Sequence, residues 1–254
     1  MTIATDEDTV RRVTARWLED IVIGLNLCPF ARPEWEAGRV RVFVSDAKTE
    51  PALAEALVKE MSHLLNHDKV ETTLLVHPGV LTEFEEYNQF LDQVDYVVSE
   101  LDLEGVLQVA TFHPDYQFFG TEPDALDNFT NRSPYPMLHL LREDSLEAAI
   151  ERHPDPQGIP GKNISRLNDI GLDSVQALLS ACGSQDAVTG KPERRSKIVV
   201  CWSWFYWLNA ETVCVRTLTQ SSLTFKLSKS SALVLPLFIE AMGISRVLAR
   251  LQNR

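Results

Sequence analysis

TTLLVHPGVLTEFEEYNQFLDQVDYVVSELDLEGVLQVATFHP, residues 72–114, sets two short apolar runs, Thr72 to Val76 and Val106 to Phe112, on either side of a helical pattern. Both runs are short and partly β-branched, which favours strands over helices. Between them Thr82-Glu-Phe-Glu85 has the form of a capping box, and Phe84, Tyr87, Leu91, Val94 and Val98 recur at helical spacing. A strand, a helix and a strand of these lengths predict a right-handed crossover between parallel strands. Each strand stops at a His-Pro pair, His77-Pro78 and His113-Pro114, because the residue before proline is held out of the helical region.

The same alternation extends upstream. Val40 to Val44 reads as a first strand leading to Asp46, and Thr49 can cap a helix with Pro51 in its first turn and Leu53, Leu57, Met61 and Leu64 as its apolar stripe. Before it, Val10, Val13, Trp17, Leu18, Ile21, Val22 and Leu25 predict an amphipathic N-terminal helix that ends near Asn26. Downstream, Met137 to Leu141 suits a fourth strand, Asp144-Ser-Leu-Glu147 a cap for a short helix, and Ser165 to Leu179 a last helix after a loop rich in proline and glycine. The expectation is therefore an α/β domain over residues 1–190, with a mainly parallel four-stranded sheet whose first three strands end at one edge. Residues 191–254 read as a C-terminal extension, disordered or not of native coding origin.

Composition narrows the function classes. The chain has 254 residues and a net charge of −12, which argues against a sequence-independent grip on nucleic acid, since that grip needs clustered Lys and Arg. No apolar run is long enough to span a bilayer, and the acidic start MTIATDEDTV does not suit a signal or transit peptide. A cytoplasmic location is expected. Cys28, Cys182, Cys201 and Cys214 form no C-x-x-C pair, so reduced thiols are the default. Residues 198–254 hold two acids against six bases, a break from the acidic remainder. Within them, WSWFYW from Trp202 to Trp207 reads either as a protein-partner or membrane-surface patch or as ordinary packing.

Polar residues concentrate after the third strand, in FHPDYQFFGTEPDALDNFTNRSPYPMLHLLRE, residues 112–143. Irregular segments at strand ends are where binding groups collect. Arg132, set among Asn128, Thr130 and Asn131, suits a planar carboxylate or phosphate; an ordered loop satisfied by local backbone bonds explains the same residues. His113 is the candidate for proton transfer, with Asp115 and the two asparagines as substrate contacts. Cys28, in Leu25-Asn-Leu-Cys-Pro-Phe-Ala31, is a nucleophile only if a base lies within reach; otherwise it is a buried structural thiol. Asp46, His77 and His113 sit at matching strand ends and would make a metal or acid/base set if they converged, whereas His-Pro as a plain strand stop is the simpler reading. His63 and His67 share a helix face but lack the glutamate of a zinc-peptidase motif. No metal and no particular cofactor is implied. Nucleotide-binding loops and serine-hydrolase motifs are missing.

Ile23-Gly-Leu-Asn-Leu-Cys-Pro-Phe-Ala31, Phe112-His-Pro-Asp-Tyr-Gln-Phe118, Asn128-Phe-Thr-Asn-Arg-Ser-Pro-Tyr-Pro136 and His139-Leu-Leu-Arg-Glu143 resemble the family called domain of unknown function 1415, over roughly residues 10–180. The resemblance marks positions and implies no reaction. Ile159-Pro-Gly-Lys-Asn163 stands where that family looks like Pro-x-Arg-Asn, so an anion role there would fall to Lys162, a point charge without a bidentate fork. Two functions are expected from these residues. One is an enzyme acting on a small anionic metabolite at the strand-end site, and the other a non-catalytic binding or assembly module whose loop is structural.

Overall fold

The computed structural model describes residues 6–183. The extension from residue 191 onward, including Trp202 to Trp207, lies outside them. Four strands form one sheet: β1 (Val40–Val44), β2 (Thr72–Val76), β3 (Leu107–Phe112) and β4 (Met137–Arg142), in the spatial order β1-β2-β4-β3. β1 and β2 are parallel, but β4 is antiparallel to both β2 and β3.

The sheet is thus mixed, which corrects the mainly parallel expectation. The reason lies in the connection after β3. A helical crossover returns the chain to the starting end of the sheet and so makes the next strand parallel, but residues 113–136 contain only a 3-10 turn, Leu126–Thr130. The chain therefore re-enters from the edge it has just left, and β4 slots between β2 and β3. β1, β2 and β3 still run in one direction.

The helices that flank the sheet follow from local chemistry. α3 (Glu50–Asn66) starts where the Thr49 hydroxyl accepts from the Ala52 N–H at 3.4 Å, with proline in its first turn. Leu53, Leu57, Met61 and Leu64 are fully buried on one stripe, each worth roughly 1.5–3 kcal/mol of transfer free energy. Arg41 on β1 locks this helix to the sheet through a bidentate pair with Glu60 at 2.7 and 3.1 Å. α4 (Phe84–Glu100) has Glu83 as its N-cap and no side-chain cap bond, so the expected capping box does not form. Its buried face is Tyr87, Phe90, Val94 and Val97, while Leu91 and Val98 are only partly covered.

α3 and α4 seal one face of the sheet, over Leu75, Leu138, Leu140, Leu107 and Val109. The opposite face is covered by α1 (Glu7–Trp17) and by α6 (Ile159–Ile170) and α7 (Leu172–Gly183). The helix expected over 165–179 is really these two, broken at Gly171, whose φ of +83° suits only glycine well. α1 runs into a π-helical segment, Leu18–Ile23, and the chain leaves it through Asn26 in the left-handed conformation. Two short helices, α2 (Ala31–Glu36) and α5 (Glu143–Glu151), bury no residue. Among the described residues no helix is long and apolar enough to cross a membrane.

Candidate functional site

Strand register places the side chains of the second face in three rows. Val44, Val76, Met137 and Phe112 form the row nearest the histidine-bearing edge; Val42, Leu74, His139 and Ala110 the middle row; Val40, Thr72, Leu141 and Gln108 the far row. The first row is well covered under α1 and the 3-10 turn, with Val76 and Met137 at 0% exposure. Over the other two rows the helical cover supplied by the described residues is incomplete. A cavity of about 820 Å³ opens there, within the range that holds a drug-sized molecule.

Its floor is the middle and far rows, and its roof comes from Trp17, Leu18 and Val22 on α1 and the π-helical segment, continued by Leu27 and Cys28. The π-helix is what brings these residues over the sheet: its wider turn lets the Leu27 N–H reach back to the Val22 carbonyl at 2.8 Å. Asn163 pins the same corner, buried and donating to the Leu27 carbonyl at 3.1 Å. One end is closed by Phe118, Thr130 and Asn131, and the mouth carries Arg39, Glu71, Arg142, Asp144 and Arg152. Of the candidate residues from the sequence, Cys28 and Asn131 line this cavity.

Cys28 is buried, and that burial pushes its thiol up to about 11 against the opposing pull of backbone N–H groups at Phe30 and Ala31. At neutral pH it is a thiol, not a thiolate. The Asn131 amide donates to the Thr111 carbonyl at 3.1 Å, and its oxygen accepts from the Thr130 hydroxyl at 3.0 Å. Neither group carries charge into the cavity.

The other candidates face elsewhere. Asn128 is fully buried and spends its whole amide inside the loop: its oxygen accepts from the Phe118 N–H at 3.0 Å and the Thr121 hydroxyl at 2.8 Å, and its nitrogen donates to the Glu122 and Pro123 carbonyls. Arg132 donates to the Tyr116 carbonyl at 3.2 Å and to the Pro123 carbonyl, and its guanidinium stacks 4.3 Å from the Phe129 ring centre. Burial lowers its pKa, against Asp115 and Asp124. Asp115 is exposed at the surface of the turn. Lys162 pairs with Asp155 on the outside.

His113 is buried, with both ring nitrogens engaged by backbone. Nδ1 accepts from the Asp115 N–H at 3.0 Å, which puts the proton on Nε2 for the Leu81 carbonyl at 3.3 Å. His77 lies in the same pocket of aromatic rings, with Tyr87 5.8 Å from it and 5.1 Å from His113. Its Nδ1 donates to the Val80 carbonyl at 3.0 Å, and burial lowers its pKa to about 4 despite that bond. Asp46 at the end of β1 is exposed. Among the described residues no group of three or more His, Cys, Asp or Glu is placed to hold a metal. His63 and His67 stack ring on ring at 3.9 Å, and His67 Nδ1 donates to the His63 carbonyl at 2.8 Å.

Thr72, Gln108 and His139 are polar floor residues that the sequence did not single out as site residues. The Thr72 hydroxyl donates to the Leu140 carbonyl and so accepts from His139 Nε2, both at 2.6 Å. Burial lowers the His139 pKa to about 3, so the floor imidazole is neutral. The signal available in the sequence was period-two alternation: Met137, His139 and Leu141 share a face, as do Gln108, Ala110 and Phe112. Without the antiparallel register, the two sets could not be laid side by side.

The chain belongs to the family described as a protein of unknown function (DUF1415), whose model matches residues 9–177. No curated protein and no solved structure matches the chain.

Proposed function

We propose that the chain binds a small molecule with a largely apolar body in the cavity over the open half of the sheet, and that residues 113–133 are the frame closing its end. The observation that carries this reading is the incomplete cover of apolar side chains there. Val40, Ala110 and Leu141 on the floor are only half-buried, and α5, which supplies Leu146 and Ala149 to the wall, has no fully buried residue. Apolar surface left facing a concave space is what an apolar ligand covers with gain.

Binding is favoured over catalysis by the charge state of the interior. Cys28 is held as a thiol, a weak nucleophile, and His139 as a neutral imidazole of low basicity. An enzyme for a small anionic metabolite built on His113, Cys28 and Arg132 has less behind it, because His113 and Arg132 already bond backbone carbonyls away from the cavity. The free thiols Cys28 and Cys182 fit a reducing, cytoplasmic setting.

The test is a thermal-shift screen of the full chain against apolar and amphipathic small molecules, run beside Ala110→Phe, which fills the floor. Hits that stabilise the native chain and fail to stabilise the variant support the reading. Hits that stabilise both equally, or none at all, refute it.

A further inference from the structure

We infer that the ligand of this cavity is an amphipathic carboxylate, its acid group held at the mouth by Arg152 and its hydrocarbon part laid on the floor of the middle and far rows; this rests on the cavity being the binding site. The inference begins with what the interior lacks. Its polar groups, Thr72, Gln108, Thr130, Asn131 and His139, are uncharged, and an anion placed among them would have no countercharge. A charged end must therefore lie at the mouth.

The cations of the mouth differ in how far they are already committed. Arg39 pairs with Glu34 at 2.6 Å and with Glu71 at 3.6 Å. Arg142 reaches under the sheet to the Leu64 and Val70 carbonyls, where it satisfies the end of α3. Arg152 follows α5 and uses only its Nε, which donates to the Ala148 carbonyl at 2.7 Å. Among the described residues no carboxylate pairs with it, and both terminal nitrogens remain available for a planar anion.

Of the carboxylates that line the cavity, Glu34 and Glu71 are engaged with Arg39, and Asp144, at the other end of α5, accepts from the Ser145 N–H at 2.8 Å. The C-terminal dipole of α5 opposes an anion at Arg152. That helix is short, and its last turn is already capped by the Arg152 Nε, so a full guanidinium charge outweighs it. The mouth as a whole balances Arg39, Arg142 and Arg152 against Glu34, Glu71 and Asp144, so an apolar floor, a neutral middle and the one guanidinium left uncommitted among the described residues, that of Arg152, are what describe a fatty or aromatic carboxylate rather than an alcohol or an amine.

Decanoate, decanol and decyltrimethylammonium, titrated calorimetrically into the full chain, separate the possibilities. Decanoate should bind about tenfold more tightly than decanol, Arg152→Ala should erase that preference, and Arg152→Glu should shift it to the ammonium probe. Ala110→Phe should block all three. Equal binding of decanoate and decanol, both blocked by Ala110→Phe, would overturn the carboxylate assignment while leaving the cavity reading intact. Binding of no probe, or binding indifferent to Ala110→Phe, overturns the cavity reading and the carboxylate assignment with it.

Discussion

The two faces of the sheet come from the same strands, yet one is finished and the other is not. On the face under α3 and α4, Leu75, Leu138 and Leu140 are at 0% exposure and the helices above contribute an unbroken apolar stripe. On the other face Val76 and Met137, in the row nearest the histidines, are equally sealed, while Val40, Ala110 and Leu141 stay half-open beneath the cavity. The apolar side chains left half-covered on the second face by the described residues are what the proposed ligand would cover. What distinguishes that face among the described residues is the pair α3 and α4, 17 residues each, on one side against the shorter α1, α6 and α7 and a π-helical segment on the other, with no helix laid along the far row.

The largest contrast is expected from truncations on the two faces. Leu57→Ala under the sealed face should cost about 2–5 kcal/mol in denaturant unfolding, since the side chain is fully enclosed and leaves a void. A loss under about 1 kcal/mol would mean that this face, too, is loosely packed.

The histidine edge should report through pH. His77 is neutral in the fold with a pKa lowered to about 4 from 6.5. Below pH 6.5 the unfolded chain takes up a proton that the folded chain refuses, so its contribution is complete above that pH and fades as pH falls toward 4. The amount is on the order of 3 kcal/mol. His77→Gln, which can still donate to the Val80 carbonyl, should reduce the slope of the stability profile in that window and leave the share due to His139 and His113, whose pKa values burial also lowers; an unchanged slope would remove His77 from the explanation.

Asn128→Ala tests whether the polar loop is a frame. Losing the amide strands the Phe118 N–H and the Glu122 carbonyl, at a cost of about 2 kcal/mol. Unchanged stability would return Asn128 to the pool of candidate ligand contacts.

The smallest effect belongs to the open half. Leu141→Ala should lower stability by less than about 1 kcal/mol, because the side chain is only half-covered to begin with, while weakening any ligand that rests on the floor. A loss as large as that of Leu57→Ala would erase the distinction between the faces.

Much of the architecture could be read from residue pattern alone. The stripes Val10–Val13–Trp17 and Leu53–Leu57–Met61–Leu64, the four strands and the direction shared by the first three all follow from periodicity and from the His-Pro stops. The order of the strands did not, because nothing local distinguishes a strand that returns beside its predecessor from one that inserts two places away. The site suffered from the same gap. Polar density after β3 drew attention to Asn128 and Arg132, whose bonds turn inward, whereas Gln108 and His139 come together only through the β3–β4 register. Cys28 and Asn131 reach the cavity because a π-helix and a hydrogen bond to β3 carry them there, and neither device has a local sequence signature.

The central claim is that the open half of the sheet, and not the strand-end loop, receives the ligand. Methyl-resolved NMR of the full chain, titrated with decanoate, addresses it directly. Expected are shifts among the methyls that line the cavity, Leu74, Ala110, Leu141 and Leu146 on its floor and wall included, with Val80 and Leu81 beside the buried histidines unmoved. Shifts at Val80 and Leu81 with a silent floor would contradict it.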